Sequence, residues 1–441
     1  MVKKLWDLAE SRIKELYGEK PPLAIMERLE SEFQEYGGNE DFESAVLFIS
    51  RLRREAEKKR SDIFCRGLLN NSFVAWLAGA TRVNPLPAHY YCPKCKQIEF
   101  VSETTGWDLP EKRCSCGARL ERDGHNLTHR LSPGKRFSCA DISIPSSLQS
   151  EIKQHLETYY ESDESTKVYE VHLFPGFDGS AGIVRYVILN EWECLASEAG
   201  KVLYMDGDEF YERFRYNMYY CIFCSDTLDC IQRCAERTNK TPAQSELVQP
   251  EIIEAFKEAG RFRSFLDYLT AEQNKADDAL GVEHLEERYY NIQYYLDHYS
   301  CDSFSDLLRL EGLSHDTYDP SKEYTDEMLR CFNKDDVIAF RDDVFDHIKC
   351  AMDMNAVQGD SLAVRISETA RKGKYSKGRM DQKTVMILQS LGISNQYISS
   401  LCHALYLFPR GHCIDYLRLN MIAAWYAVNT PEIFNTVLGE I

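Results

Sequence analysis

Four cysteines in the first third of the chain have the type and spacing to hold a metal. Cys92 and Cys95 lie in HYYCPKCK and Cys114 and Cys116 in RCSCG, giving C-x2-C-x18-C-x-C. Four thiolates on two turns suit tetrahedral zinc, and with no open coordination position such an ion is structural rather than catalytic. The second turn is one residue shorter than a usual knuckle. That leaves two alternatives: His89 or His125 as a replacement ligand, or a loop that keeps its cysteines without metal. A second group, Cys221, Cys224, Cys230 and Cys234 in YYCIFCSDTLDCIQRC, could ligate zinc or an iron–sulfur cluster. Its three- and four-residue recurrence equally fits buried thiols on one helix face. Free cysteine is among the most buried residue types, so core packing is the expectation. In MDGDEF, Asp206 and Asp208 stand two apart, as a metal-binding pair would, but Asp-Gly after a strand more often marks a turn. Two basic runs, RLRREAEKKR at 51–60 and RKGKYSKGR at 371–379, could meet phosphate; on composition alone they read as solvated faces.

The elements that must position these residues are mostly helical. Residues 2–17, 23–36 and 40–60 carry helical periodicity, stopped by Gly18 with Pro21-Pro22 and by Gly37-Gly38, and 71–77 read as a further helix. The only clear β region lies between 137 and 204, where VYEVHLF (168–174), IVRYVIL (183–189) and KVLYM (201–205) have strand composition. After 209 nearly everything reads as helix, with acidic loops expected at 160–166 and 316–326.

Lys and Arg number 52 against 70 Asp and Glu, a formal charge of −18, so no overall field draws the chain to nucleic acid and any such contact must be local. With 44% hydrophobic and 28% charged residues the composition is that of a soluble globular protein, and 441 residues suggest two or three domains. No apolar run could span a bilayer. The start, MVKKLWDLAESRIKELYG, has no signal-peptide core, so sixteen cysteines read as ligands and buried thiols rather than disulfides. A cytoplasmic protein without membrane contact is expected.

Longer stretches carry a resemblance. NSFVAWLAGATRVNPLPAHYYCPKC, WDLPEKRCSCG and DGH at 123–125 resemble the catalytic region of the bacterial DNA polymerase III alpha subunit of the PolC type. LYGEKPPLAIMERLESEF (16–33), DSFSDLLRLEGLSH (302–315), DDVIAFRDDV (335–344), RKGK (371–374) and FPRGHCIDY (408–416) follow that family in order, with 165–275 the weakest stretch. The resemblance implies an α+β, mostly helical palm-and-fingers remnant of a C-family polymerase with a small Cys-rich zinc module. It divides into an N-terminal helical part of the palm (1–87), a zinc-knuckle insert (88–136), a palm β region (137–240) and helical fingers (241–441). No proofreading exonuclease, PHP-like domain or extension beyond the fingers is recognisable.

In the family, two metal ions are held by a D-x-D pair on one strand and a third carboxylate on a neighbouring strand. The matching stretch here is CADISIPSS (139–147), with Asp141 on the first aspartate, a remnant of the catalytic pair, and Ser143 on the second. A serine is no substitute for an anionic oxygen on magnesium. No counterpart of the third carboxylate is recognisable between 190 and 275. The family's triphosphate loop, G-S-R-G-S-x-G-S-S, falls on residues 64–72 and keeps Arg66, Gly67 and Ser72. Arg371, Lys372 and Lys374 match a basic run near the incoming nucleotide. Arg410 and His412 fall in an F-P-K-A-H-like motif, with Arg410 in place of lysine; His412 reads equally well as a core histidine. Ile422 stands where the family has an arginine.

The expectation is a catalytically degenerate homologue acting as a nucleic-acid- or protein-binding module related to DNA replication, with structural zinc. Primer–template or single-stranded DNA and replication proteins are the implied partners. One alternative is an active minimal DNA-directed DNA polymerase, using magnesium on Asp141 with recruited Asp206 and Asp208. The other is a purely structural interaction scaffold.

Overall fold

The first three helices, Val2–Tyr17, Leu23–Tyr36 and Glu40–Lys58, form where the apolar spacing places them. Asn39 caps the third by accepting from the Phe42 N–H, and Glu40, Asp41 and Glu43 in its first turn suit the positive end of the helix dipole. The structure, a computed structural model, describes residues 2–36, 38–102, 104–129, 137–161, 165–173, 184–190, 202–257, 295–296, 299–314, 317–319, 322–331, 337–355, 357–376 and 380–441. Parts of several expected segments, among them 258–260, 315, 335–336 and 377–379, lie outside the described residues.

The β region is larger than the sequence pattern suggests. Strands β1 (Phe64–Cys65), β5 (Cys139–Ile144), β6 (Thr166–Leu173), β7 (Val184–Asn190), β8 (Val202–Met205) and β9 (Met218–Cys224) build a six-stranded mixed sheet ordered β1-β5-β9-β7-β6-β8. A second sheet, β3-β2-β4, pairs β2 (His89–Tyr91) with β3 (Ile98–Phe100) and β4 (Glu121–Asp123). The expectation that nearly everything after 209 is helix does not hold at β9. MYYCIFC is a short run rich in aromatic and β-branched residues, ended by Ser225, whose hydroxyl caps the next helix, Asp226–Thr238. The four-cysteine run is therefore split between two elements: Cys221 and Cys224 lie on a strand, Cys230 and Cys234 one turn apart on that helix. Cys221, Cys230 and Cys234 are buried and Cys224 is exposed, so core packing describes three of the four. Residues Glu323–Cys331 likewise form a helix where a loop to 326 was expected. Its apolar positions are few, but Tyr324 and Met328 pack on the C-terminal core.

Alternation along β5 decides which residues face what. Ala140, Ile142 and Ile144, with Tyr220 and Ile222 of β9, join Phe48, Ile49 and Leu52 of the third helix in one apolar core. Cys139, Asp141 and Ser143 point to the opposite face. A larger core surrounds helix Arg410–Asn429, whose buried residues run all round its circumference rather than along one stripe. A buried charge network ties the two halves together. Asp62 pairs with Arg53, on the third helix, and accepts from Arg418 Nη2 at 3.0 Å, while Arg418 Nε also donates to Asp415 at 2.8 Å. Among the described residues no helix is long and apolar enough to cross a membrane.

Candidate functional site

The cysteine module folds around its thiols. Cys92 Sγ and Cys116 Sγ are 3.7 Å apart, and Cys95 Sγ and Cys114 Sγ 3.9 Å apart; all four lie within 4.8 Å of one another. A tetrahedron of thiolates about 2.3 Å from zinc has edges of about 3.8 Å, so the donor set fits. The shortened second turn is closed by Gly117, at φ +85°, whose N–H donates to the Cys114 carbonyl at 2.9 Å. A glycine in this left-handed conformation brings Cys114 and Cys116 together without the missing residue. Neither histidine is needed as a ligand. His89 Nδ1 is 2.7 Å from the Pro87 carbonyl, and His125 Nδ1 is 2.5 Å from Thr105 Oγ1. Burial pushes the His125 imidazole down to about 4, so it is neutral near pH 7. The module is anchored outward by Trp107, whose ring packs on Phe304 at 4.6 Å, and by Asp108, whose carboxylate accepts the Phe304 and Ser305 N–H groups at 2.8 and 2.9 Å.

The second feature is a cleft of about 340 Å³ beside β5. Asp141, Arg66, Gly67 and Arg371, remote in sequence, all line it. The Arg66 N–H donates to the Asp141 carbonyl at 2.9 Å, continuing the β1–β5 ladder, so the arginine side chain starts beside the strand. Its Nε donates to Ser143 Oγ at 3.1 Å, and its guanidinium lies 4.3 Å from the Phe223 ring centroid. Arg371 is held from below by Glu368 at 3.2 Å and by the Tyr406 hydroxyl at 3.1 Å. Partial burial opposes its charge, but Tyr406 and Glu368 more than compensate, holding its pKa above that of an ordinary arginine. Lys372 and Lys374 are exposed on the turn that follows. Gly373 between them has φ +57°, and a Cβ there would lie 1.8 Å from the Leu405 carbonyl oxygen, which is why the basic run is interrupted by glycine.

Among the described residues, no second carboxylate stands beside Asp141 on β5 or β9. On the side away from β1, β5 pairs with β9 in parallel register, and the residue paired with Asp141 is Cys221. No counterpart of the third carboxylate is recognisable between 190 and 275; β9, which falls there, sets a thiol at the position facing Asp141. Cys139 Sγ donates to Asp141 Oδ1 at 3.0 Å. One carboxylate, two thiols and a serine hydroxyl do not fit a pair of magnesium ions, which require several anionic oxygens. The recruited pair is not within reach either. Asp206 and Asp208 follow β8, four strand spacings from β5, or about 19 Å. Asp206 is the N-cap of helix Gly207–Phe214, accepting the Glu209 N–H at 2.7 Å, so the pattern that resembled a metal pair is a helix start.

The remaining predicted residues lie beside the cleft rather than in it. Ser72 is buried as the N-cap of helix Phe73–Leu77, and its hydroxyl donates to Glu32 at 2.9 Å. His412 Nδ1 accepts the Gly67 N–H at 3.0 Å and its ring packs on Phe64 and Phe408. Arg410 is half-buried and paired with Asp343 at 2.7 Å and Asp346 at 3.3 Å, on the wall of a different cleft. Ile422 is buried in the C-terminal core. Sequence reasoning missed Cys139, Phe223 and Glu368, and grouped Cys221 with Cys224, Cys230 and Cys234 rather than with Asp141. Their placement depends on strand register and helix packing, and the only local signal was the strand-like composition of MYYCIFC.

Comparison with known proteins points to one polymerase family. A sequence model described as the bacterial DNA polymerase III alpha NTPase domain matches residues 3–175, which include the cysteine module and β5. DNA polymerase III PolC-type of Lacticaseibacillus paracasei is 25% identical over 97% of this chain and 32% of its own length. The PolC-type polymerases of Clostridium perfringens and Thermotoga petrophila are 23% and 24% identical over 98% and 96% of the chain. The chain spans about a third of the length of these relatives. It is a PolC-like homologue of the DNA polymerase III alpha subunit.

Proposed function

We propose that this chain is a palm-and-fingers relative of PolC that binds nucleic acid without polymerising it, in a role related to DNA replication. The observation that carries the reading is the environment of Asp141. Of the family's D-x-D pair only Asp141 remains, with Ser143 at the second position, and the residue paired with Asp141 on the neighbouring strand is Cys221. Arg66 fills the space beside Ser143, so the position of the family's second aspartate is taken by a guanidinium. Phosphate contact is supported by the cleft itself, where Arg66 and Arg371 converge and Lys372 and Lys374 follow at its edge. The division at 88–136 is a zinc module of structural role, in which Cys92, Cys95, Cys114 and Cys116 hold the ion and the fold of 89–123 depends on it.

The test is fluorescence anisotropy of a labelled primer–template with the zinc-replete chain at several salt concentrations, paired with primer extension. Binding that weakens linearly in log salt is expected, and Lys372→Ala with Lys374→Ala should reduce the slope by about 1 per lost phosphate contact. Absence of binding at low salt would instead favour a protein-interaction scaffold. Template-dependent extension abolished by Asp141→Ala would establish an active polymerase and overturn the proposal.

A further inference from the structure

The loss of carboxylates around Asp141 leaves a donor set of a different chemical class. Cys139 Sγ, Cys221 Sγ and an Asp141 carboxylate oxygen all lie within 4.8 Å of one another. The sheet dictates the convergence. Cys139 and Asp141 are two apart on β5 and so share a face, and parallel pairing sets Cys221 of β9 beside Asp141 on that face. Cys139 and Asp141 both line the cleft, while Cys221 is buried beneath. Two thiols and a carboxylate are a poor set for magnesium and a good one for a borderline-soft ion.

We propose that Cys139, Asp141 and Cys221 form a second zinc site, with the fourth coordination position open to the cleft and taken by water. Ligand atoms of a tetrahedral ion with thiolate and carboxylate donors are separated by about 3.3–3.8 Å, so the present spacing needs only small side-chain rotations to close. Binding would release the two thiol protons and leave a core of net charge −1. Arg185 of β7, paired with Cys221 in register and buried on the same face, supplies a neighbouring positive charge. This inference rests on the replacement of the family's carboxylates that underlies the proposed function. It is separable from that reading, because metal content and DNA affinity are independent readouts.

The test uses the full chain loaded with zinc and freed of excess, with metal measured by inductively coupled plasma mass spectrometry. The expected content is two zinc ions per chain, falling to one in Cys139→Ser and in Cys221→Ser, with unchanged circular dichroism. Cobalt substitution gives a second readout that does not require the cysteine module to be altered. Filling the second site should add thiolate-to-cobalt charge-transfer absorption, absent from both serine variants and retained with weaker metal affinity in Asp141→Ala. A wild-type content of one zinc that is unchanged in Cys221→Ser would overturn the proposal, as would a cobalt spectrum identical in wild type and Cys221→Ser. DNA binding measured on the same samples reports separately on the proposed function.

Discussion

Arg66 bears directly on what the cleft can do. Its guanidinium is fixed by Ser143 and by the Phe223 ring, so it cannot swing away without losing both contacts. Restoring an aspartate at position 143 would set a carboxylate against this cation, and an ion pair, not a metal site, would form first. Ser143→Asp is therefore expected to leave primer extension undetectable, and extension above background in that variant would contradict the account. Asp141 and Ser143, named through the family resemblance, were legible as neighbours on one face because the i, i+2 relation on a strand is local. Cys221 was not, because its pairing with Asp141 is fixed by sheet register across 80 positions, and no local pattern carries that. The tetrathiolate was legible for the same reason as Asp141: two short turns each bring their own cysteines together, and only the closing of the CSCG turn by Gly117 had to be seen in three dimensions.

At the scale of elements, the short helix Phe73–Leu77 is held by a residue from another helix. Glu32, fully buried, accepts the Phe73 N–H at 2.8 Å, the Val74 N–H at 3.0 Å and the Ser72 hydroxyl, and is paired with Arg28 at 2.7 Å. Arg28 in turn donates to the carbonyls of Asn71 and Leu127. A helix this short has little stability of its own, so it depends on this external cap. Glu32→Ala strands three donors and the Arg28 charge in the interior, and a loss of about 3–5 kcal/mol is expected in denaturant titration. A loss under about 1 kcal/mol would show that water or another group replaces the carboxylate. The N-terminal helices themselves were readable from apolar spacing and stop signals. Strand β9 was not, since three- and four-residue cysteine spacing mimics a helix face where the true determinants are aromatic and β-branched residues between Asn217 and Ser225.

Across the whole molecule, Asp62 is the acidic centre of the charge network joining the N-terminal and C-terminal halves. Burial alone would raise its pKa, but Arg53, Arg418 and Arg82 outweigh burial and hold it well below the ordinary carboxylate range. A carboxylate depressed in the folded state contributes stability that is fully present above its unfolded value of about 4 and is lost as pH falls through the folded one. Asp62→Asn is expected to cost about 3–5 kcal/mol at pH 7, with the gap to wild type narrowing as pH drops below about 4. Thermal melts of both proteins across that range check the sign; a gap that widens on acidification would refute it. None of this network was visible in the sequence, where Asp62 and Arg418 lie 356 positions apart.

The helix Arg410–Asn429 also backs the turn whose residues Arg66 to Leu69 form the cleft floor. Gly411 packs so closely on the turn at Asn70 and Asn71 that a Cβ there would lie 2.4 Å from Asn71 Oδ1, and His412 takes the Gly67 N–H. The floor is thereby set before anything arrives. A guest in the cleft meets a preset surface at this turn and loses little entropy to ordering it. Its arrival in a stopped-flow experiment should follow a single exponential whose rate rises linearly with concentration.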